Sequence, residues 1–558
     1  MLAWRVRGVV LALMLVGLGA SGGERAAASD ASTPTNRPSS PLAPLLEGLG
    51  GHHVAIESGD PRAMRYFDQG MLLAYGFNPA EAVRSFEAAV ALDPRCASCW
   101  WALAWALGPN INSDMDPQSA GRVEHALGEA KRHAAGASPA RRALIEALAL
   151  RHPGHGAVDE AAYAARMLAV ARRYPRDADV AMLAAEALLN LHPYDWWAPD
   201  GTPQPWTPQI ERLLTRAMAL NPQQAGAHHY WIHLQESSRH PQRALPSAEV
   251  LTTEVPGSGH LLHMPSHIFM RVGRFQDAID ANQRSIEADR RYLAAVDAQG
   301  AYRVGYVAHN HHFLWAAASM AGREPLAMQA AGAAYPAACG PAGREPRSAI
   351  AQQYAVLPYF TLVRFGRWDE ILRATPPPDG AAPYPLAIWR YARGTALARS
   401  GQAGAAQQEL ARLEALAADP ALMAMKIKNI NPAAQMVRIA VLTLGADIAL
   451  SRGEPQRAVA FLQEATRVED ALAYDEPHLW LAPTRQALGA ALLAAGRAAD
   501  AERVYREDLA HYPDNGWSLG GLALALARQG KTALAQEAGA SARAAFGTAE
   551  RVPAGSRF

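Results

Sequence analysis

The chain has 558 residues, more than one compact core accommodates, so several domains or one elongated repeat array is expected. Its 53 Lys+Arg against 52 Asp+Glu leave a net charge near zero, which gives no electrostatic case for nucleic acid as a partner. A charged fraction of 19% with abundant small apolar residues suits closely packed helices.

The N-terminus reads as an export signal over residues 1–25: Arg5 and Arg7 precede an apolar run from Val9 to Leu18, then small residues from Gly19 to Gly23. That run is too short to span a bilayer, and no later segment reads as transmembrane. A periplasmic or secreted location is therefore expected. Residues 26–60, opening with an Ala/Ser/Thr/Pro-rich stretch, are read as a disordered linker. Cys96-Ala-Ser-Cys99 is followed by Trp100 where haem attachment would need histidine. The pair either closes a local disulfide in an oxidising compartment or packs as two small buried residues.

Strand signals are almost absent. From Ala63 to Pro94 the residues Tyr66, Gly70, Leu73, Ala82, Phe86, Ala89 and Pro94 alternate large and small across two helices. A turn glycine followed five residues later by alanine recurs at Gly273/Ala278, Gly322/Ala327, Gly401/Ala406, Gly453/Ala458, Gly496/Ala501 and Gly530/Ala535. The glycine permits a sharp turn and the alanine a close helix approach. In these features, and in a period near 34 residues, the chain resembles the tetratricopeptide family. The resemblance implies an all-α solenoid, a right-handed superhelix of roughly ten helical hairpins. Its expected parts are N-terminal units at 61–222, central histidine-rich units at 223–345 and C-terminal units at 346–558. Two irregular inserts interrupt it. One spans 193–208 with Asp195, Trp196, Trp197 and Trp206, and acts either as a lid or as packing on the solenoid flank; the other runs from about Arg290 to Tyr306.

Ten of the 19 histidines fall between His228 and His312. Pro222 and Pro256 end successive units 34 residues apart. In that register His229 and His233 take positions 5 and 9 of one helix, His260, His263 and His267 positions 2, 5 and 9 of the next, and His309 and His312 positions 2 and 5 of a third. The resemblance implies that these positions face the concave groove. Imidazoles from neighbouring helices about 8–10 Å apart can meet at one ion with bonds of about 2.0–2.1 Å. All seven are therefore candidate ligands of a transition metal: zinc, copper, iron or nickel. Pro265 places the start of that helix near Met264, with His260 and His263 on the turn before it. Glu236 and Asp195 are the nearest carboxylates, and His228 and His311 are expected to be packed. The blocks His260-Leu-Leu-His263-Met-Pro-Ser-His267 and His309-Asn-His-His312 resemble blocks in a group of large exported bacterial tetratricopeptide proteins, a group that supplies no activity.

Two functions stay open. One is metal-dependent binding or catalysis on a small molecule or peptide held in the groove. The other is a non-enzymatic scaffold of the cell envelope whose imidazoles line a track for a protein or peptide partner.

Overall fold

The computed structural model describes residues 43–198, 200–296, 302–339, 348–378, 380–428 and 430–558. The expected signal peptide, at 1–25, lies outside them, as does the linker up to residue 42. Amphipathic helices pair in chain order, from Pro61–Tyr75 with Pro79–Leu92 to Gly516–Arg528 with Thr532–Phe546. Twelve such helical hairpins can be traced among the described residues, where the repeat period suggested roughly ten. The chain is thus an all-α, tetratricopeptide-type solenoid. Its only regular strands among the described residues are Lys426–Ile427 and Asn431–Pro432, paired antiparallel.

The local code works as the sequence implies. All six turn glycines adopt positive φ between 71° and 80°. Five of their paired alanines, Ala278, Ala327, Ala406, Ala458 and Ala501, are fully buried where the two helices touch. The helix Ala433–Ser451 is apolar and long enough to cross a membrane, but 78% of its apolar window is buried inside the array. Cys96 and Cys99 are joined by a disulfide at the start of Ala97–Ala106.

Both ends of the array fold back on its middle. Near the N-terminus, Gly226 lies against the ring of Tyr75, and Gly257 N–H donates to Gly48 O at 2.7 Å. The stretch 43–60, expected to belong to the disordered linker, instead packs in this seam. Ala43, Leu49 and Val54 are buried, and Tyr66 Oη donates to Ala43 O at 2.7 Å. At the other end, Trp517 Nε1 donates to Ser319 O and Met320 O at 3.2 and 3.1 Å, while the Arg364 guanidinium stacks on its indole. The central units are therefore enclosed by the chain itself, and their inner wall is a buried core rather than an open groove.

Candidate metal centre

The helix Ala225–Glu236 is buried along its whole length, which is unusual for a segment carrying three histidines and a glutamate. It presents His229 and His233 one turn apart. Beyond the helix Leu245–Glu254 come two helical segments, Gly259–His263 and Pro265–Arg271, broken only at Met264. Helix therefore begins five residues earlier than Pro265 led us to expect. The proline sits at the first position of the second segment, where its missing N–H is tolerated. His260, His263 and His267 are thus all helical. His309 enters from Ala308–Met320, after a π-helical turn at Arg303–Val307.

These elements bring six of the seven candidate imidazoles into two sets. His229, His233 and His260 offer ring nitrogens within 4.8 Å of one another, and so do His263, His267 and His309. Five of the six are at most 5% exposed; His309 is half-buried. His312 belongs to neither set. It lies about 4.5 Å further along its helix than His309, stacked on Trp315 and edge-on to Tyr354. His228 is packed as expected, bonded to Ser247 Oγ and Pro222 O.

Hydrogen bonding fixes which nitrogen each ring offers. His229 Nδ1 donates to Tyr75 O at 2.5 Å, since a carbonyl can only accept. Asn282 Nδ2 donates to Ala278 O, so Asn282 Oδ1 is the acceptor for His263 Nδ1 at 2.7 Å. Glu236 serves two rings: His233 Nδ1 donates to Oε1 at 3.1 Å, and His267 Nδ1 lies close against Oε2. Each of these four Nδ1 atoms thus carries the proton, and each Nε2 carries a lone pair directed inward. That is the arrangement in which metal-ligating histidines are held by their outer neighbours.

The inward nitrogens then confront one another. His263 Nε2 and His267 Nε2 are 2.9 Å apart, and His229 Nε2 and His260 Nε2 3.2 Å apart. His233 Nε2 has no hydrogen-bond partner among the described residues. Burial drives His229, His260, His263 and His309 well below the ordinary imidazole range, and neighbouring imidazoles push the same way. His267 is lowered by burial against the opposing pull of Glu236. Burial would raise the Glu236 carboxyl, but His267 and His233 outweigh it and hold the group below the usual carboxylate range.

Aromatic side chains close the site. Phe77 lies 4.5 Å from the His229 ring and 5.3 Å from that of His260. Phe313 lies 4.6, 4.4 and 5.0 Å from those of His263, His267 and His309. Asn112, from the irregular Gly108–Asn112 loop, accepts from Tyr194 Oη and donates to Tyr306 Oη at 2.9 Å. Tyr306 in turn packs on His260 at 4.7 Å. The tryptophans of the 193–208 insert pack on the solenoid flank. Trp196 is buried, Trp197 Nε1 donates to Leu234 O at 2.6 Å, and Trp206 stacks on His192 at 3.7 Å. Asp195 accepts from Gln204 within the insert and takes no part in the site.

Backbone strain concentrates here. Of the five non-glycine residues at positive φ among the described residues, three surround the cluster: Phe77 at 52°, Tyr194 at 58° and Lys428 at 49°. Lys428 follows the first of the two short strands, binds Asp475 Oδ1 at 2.8 Å and Glu476 O at 2.7 Å, and adds positive potential at His267, His309 and His312. Phe77, Tyr194, Asn282 and Lys428 had not been singled out from sequence. Phe77 left a readable trace: it stands five residues before Ala82, where later repeats place their turn glycine.

No family model matches the chain, and no curated protein does. Among solved structures, the human IFIT1 dimer with m7Gppp-AAAA aligns over 88% of this chain and 91% of that one, at 11% identity and a TM-score of 0.30. The P58(IPK) TPR domain aligns over 88% and 99%, at 10% identity and a TM-score of 0.23. Likenesses this distant say nothing about what the buried histidines do.

Proposed function

We propose that this is an exported metalloprotein whose solenoid encloses a transition-metal centre built from His229, His233, His260, His263, His267 and His309. One observation carries the reading. His263 and His267 face each other through Nε2 at 2.9 Å, while His263 Nδ1 bonds to Asn282 Oδ1 and His267 Nδ1 lies against the Glu236 carboxylate. Two lone pairs at that separation repel unless a proton or a metal stands between them. Burial opposes the proton by disfavouring the imidazolium, and a metal needs neutral rings.

The clustering also speaks against a peptide track, which would need exposed imidazoles spread along an open groove. These rings are buried against one another and capped by Phe77 and Phe313. Anything acted on at the centre would be a small molecule entering beside Tyr194, which is 44% exposed.

The test is elemental analysis of untagged protein. Stoichiometric metal that disappears in a folded His263→Ala/His267→Ala variant supports the reading. Metal-free protein that takes up no zinc, copper or iron on reconstitution refutes it.

A further inference from the structure

We propose that the cluster is dinuclear: two monovalent copper ions, one on His229, His233 and His260, the other on His263, His267 and His309. The inference rests on the metal reading above and adds number, placement and identity to it.

Number follows from reach. Two donors on one ion stand at most about 4.2 Å apart, twice a metal–nitrogen bond of about 2.1 Å. Each set has its nitrogens within 4.8 Å, so a shift of a few tenths of an ångström brings three onto one ion, but the two sets remain separate groups. The closest nitrogen pairs, His229 with His260 and His263 with His267, both lie inside a set. Each set also has its own apolar cap, Phe77 over the first and Phe313 over the second.

Identity follows from charge and coordination number. Six imidazoles bring no negative charge. The carboxylate in contact with them, Glu236, is shared, one oxygen against a ring of each set. Two divalent ions would bury four positive charges against that single carboxylate, a heavy desolvation cost. Two monovalent ions halve the charge. Zinc completes a tetrahedron and would need a water on each set of three nitrogens. The phenyl caps place apolar surface over those sets instead, which suits an ion content with three nitrogens.

The experiment titrates the full-length apo-protein, untagged and without oxygen, with monovalent copper in a competing chelator, and in parallel with zinc; bound metal is counted after desalting. Two coppers per chain are expected, with X-ray absorption showing three nitrogen scatterers per copper. His229→Asn/His260→Asn and His263→Asn/His309→Asn are each expected to retain one copper, with helical circular dichroism and elution volume unchanged. One copper in the wild type, loss of all copper from both folded variants, or preference for zinc at matched buffering would overturn the dinuclear copper assignment while leaving a metal centre standing. No uptake of any metal would remove the metal reading itself. Should a double variant fail to fold, the wild-type count and the nitrogen number decide.

Discussion

The C-terminal hairpins and the central ones share a backbone but fill it differently. Between Thr484–Ala494 and Thr532–Phe546 the interior is Leu488, Leu492, Val504, Tyr505, Leu522 and Leu526, an ordinary aliphatic and aromatic core. In Ala225–Glu236, Gly259–His263 and Pro265–Arg271 imidazoles and a carboxylate are buried beside apolar residues such as Ile232, Leu234, Leu261 and Ile268. Turn glycines serve both regions, at Gly273 and Gly322 as at Gly496 and Gly530. The fold therefore does not require histidine at these places, because leucine does the packing elsewhere. A buried polar atom left unpaired costs about 1–3 kcal/mol, and the central hairpins collect several. Something beyond packing has to offset that.

The comparison can be broken most forcefully in the ordinary core. Leu492→Ala is expected to cost about 2–5 kcal/mol in denaturant unfolding, with metal per folded chain unchanged. A parallel loss of metal would mean the two regions are not separable. In the central region the stabiliser is expected to be the ion. Metal at 100 to 1,000 times its Kd should raise the unfolding free energy by about 2.7–4.1 kcal/mol, and that increment should vanish in His263→Ala/His267→Ala. Glu236→Gln keeps the shape but removes the carboxylate shared by His233 and His267, so metal affinity in a competition titration is expected to fall about 10–100-fold.

Smaller effects sharpen the contrast. Phe77 occupies a turn position where later repeats use glycine, and its φ of 52° costs a side-chain-bearing residue about 1–2 kcal/mol. Phe77→Gly and Phe77→Ala both lose the ring, yet the glycine variant is expected to be the more stable by about 1 kcal/mol. Equal stabilities would remove the strain argument. A further effect outside the centre depends on pH. Burial pushes the Glu186 carboxyl up to about 7, although Arg151, Asn190 and Trp105 pull it down. The folded state then holds this proton after the unfolded chain has released it. Glu186 is neutral in its contribution below about pH 4.5 and lowers stability progressively from there to about pH 7. Glu186→Gln should flatten that part of the stability–pH curve.

What the sequence disclosed and what it withheld follow a single physical division. Features set within one repeat were legible. Gly273 and Ala278 announce their turn and close approach locally, and the spacing of His229, His233, His263 and His267 announces a shared helix face. Features made by closure of the superhelix were not. Tyr75 O accepts from His229 across 154 residues, and Asn112 reaches Tyr306 across 194; no repeat period encodes either contact. The same closure turns an expected groove wall into a buried core. His312 shows the limit of face arguments. It shares a face with His309, but one turn of rise carries it past Phe313 to Trp315 and Tyr354.

Anomalous X-ray diffraction from crystals of untagged, metal-loaded protein, collected across the metal's absorption edge, tests the account most directly. It predicts anomalous density among the Nε2 atoms of His229, His233 and His260 and of His263, His267 and His309. Fully occupied protein whose anomalous density lies elsewhere, or well-ordered crystals with none at these imidazoles, would contradict it.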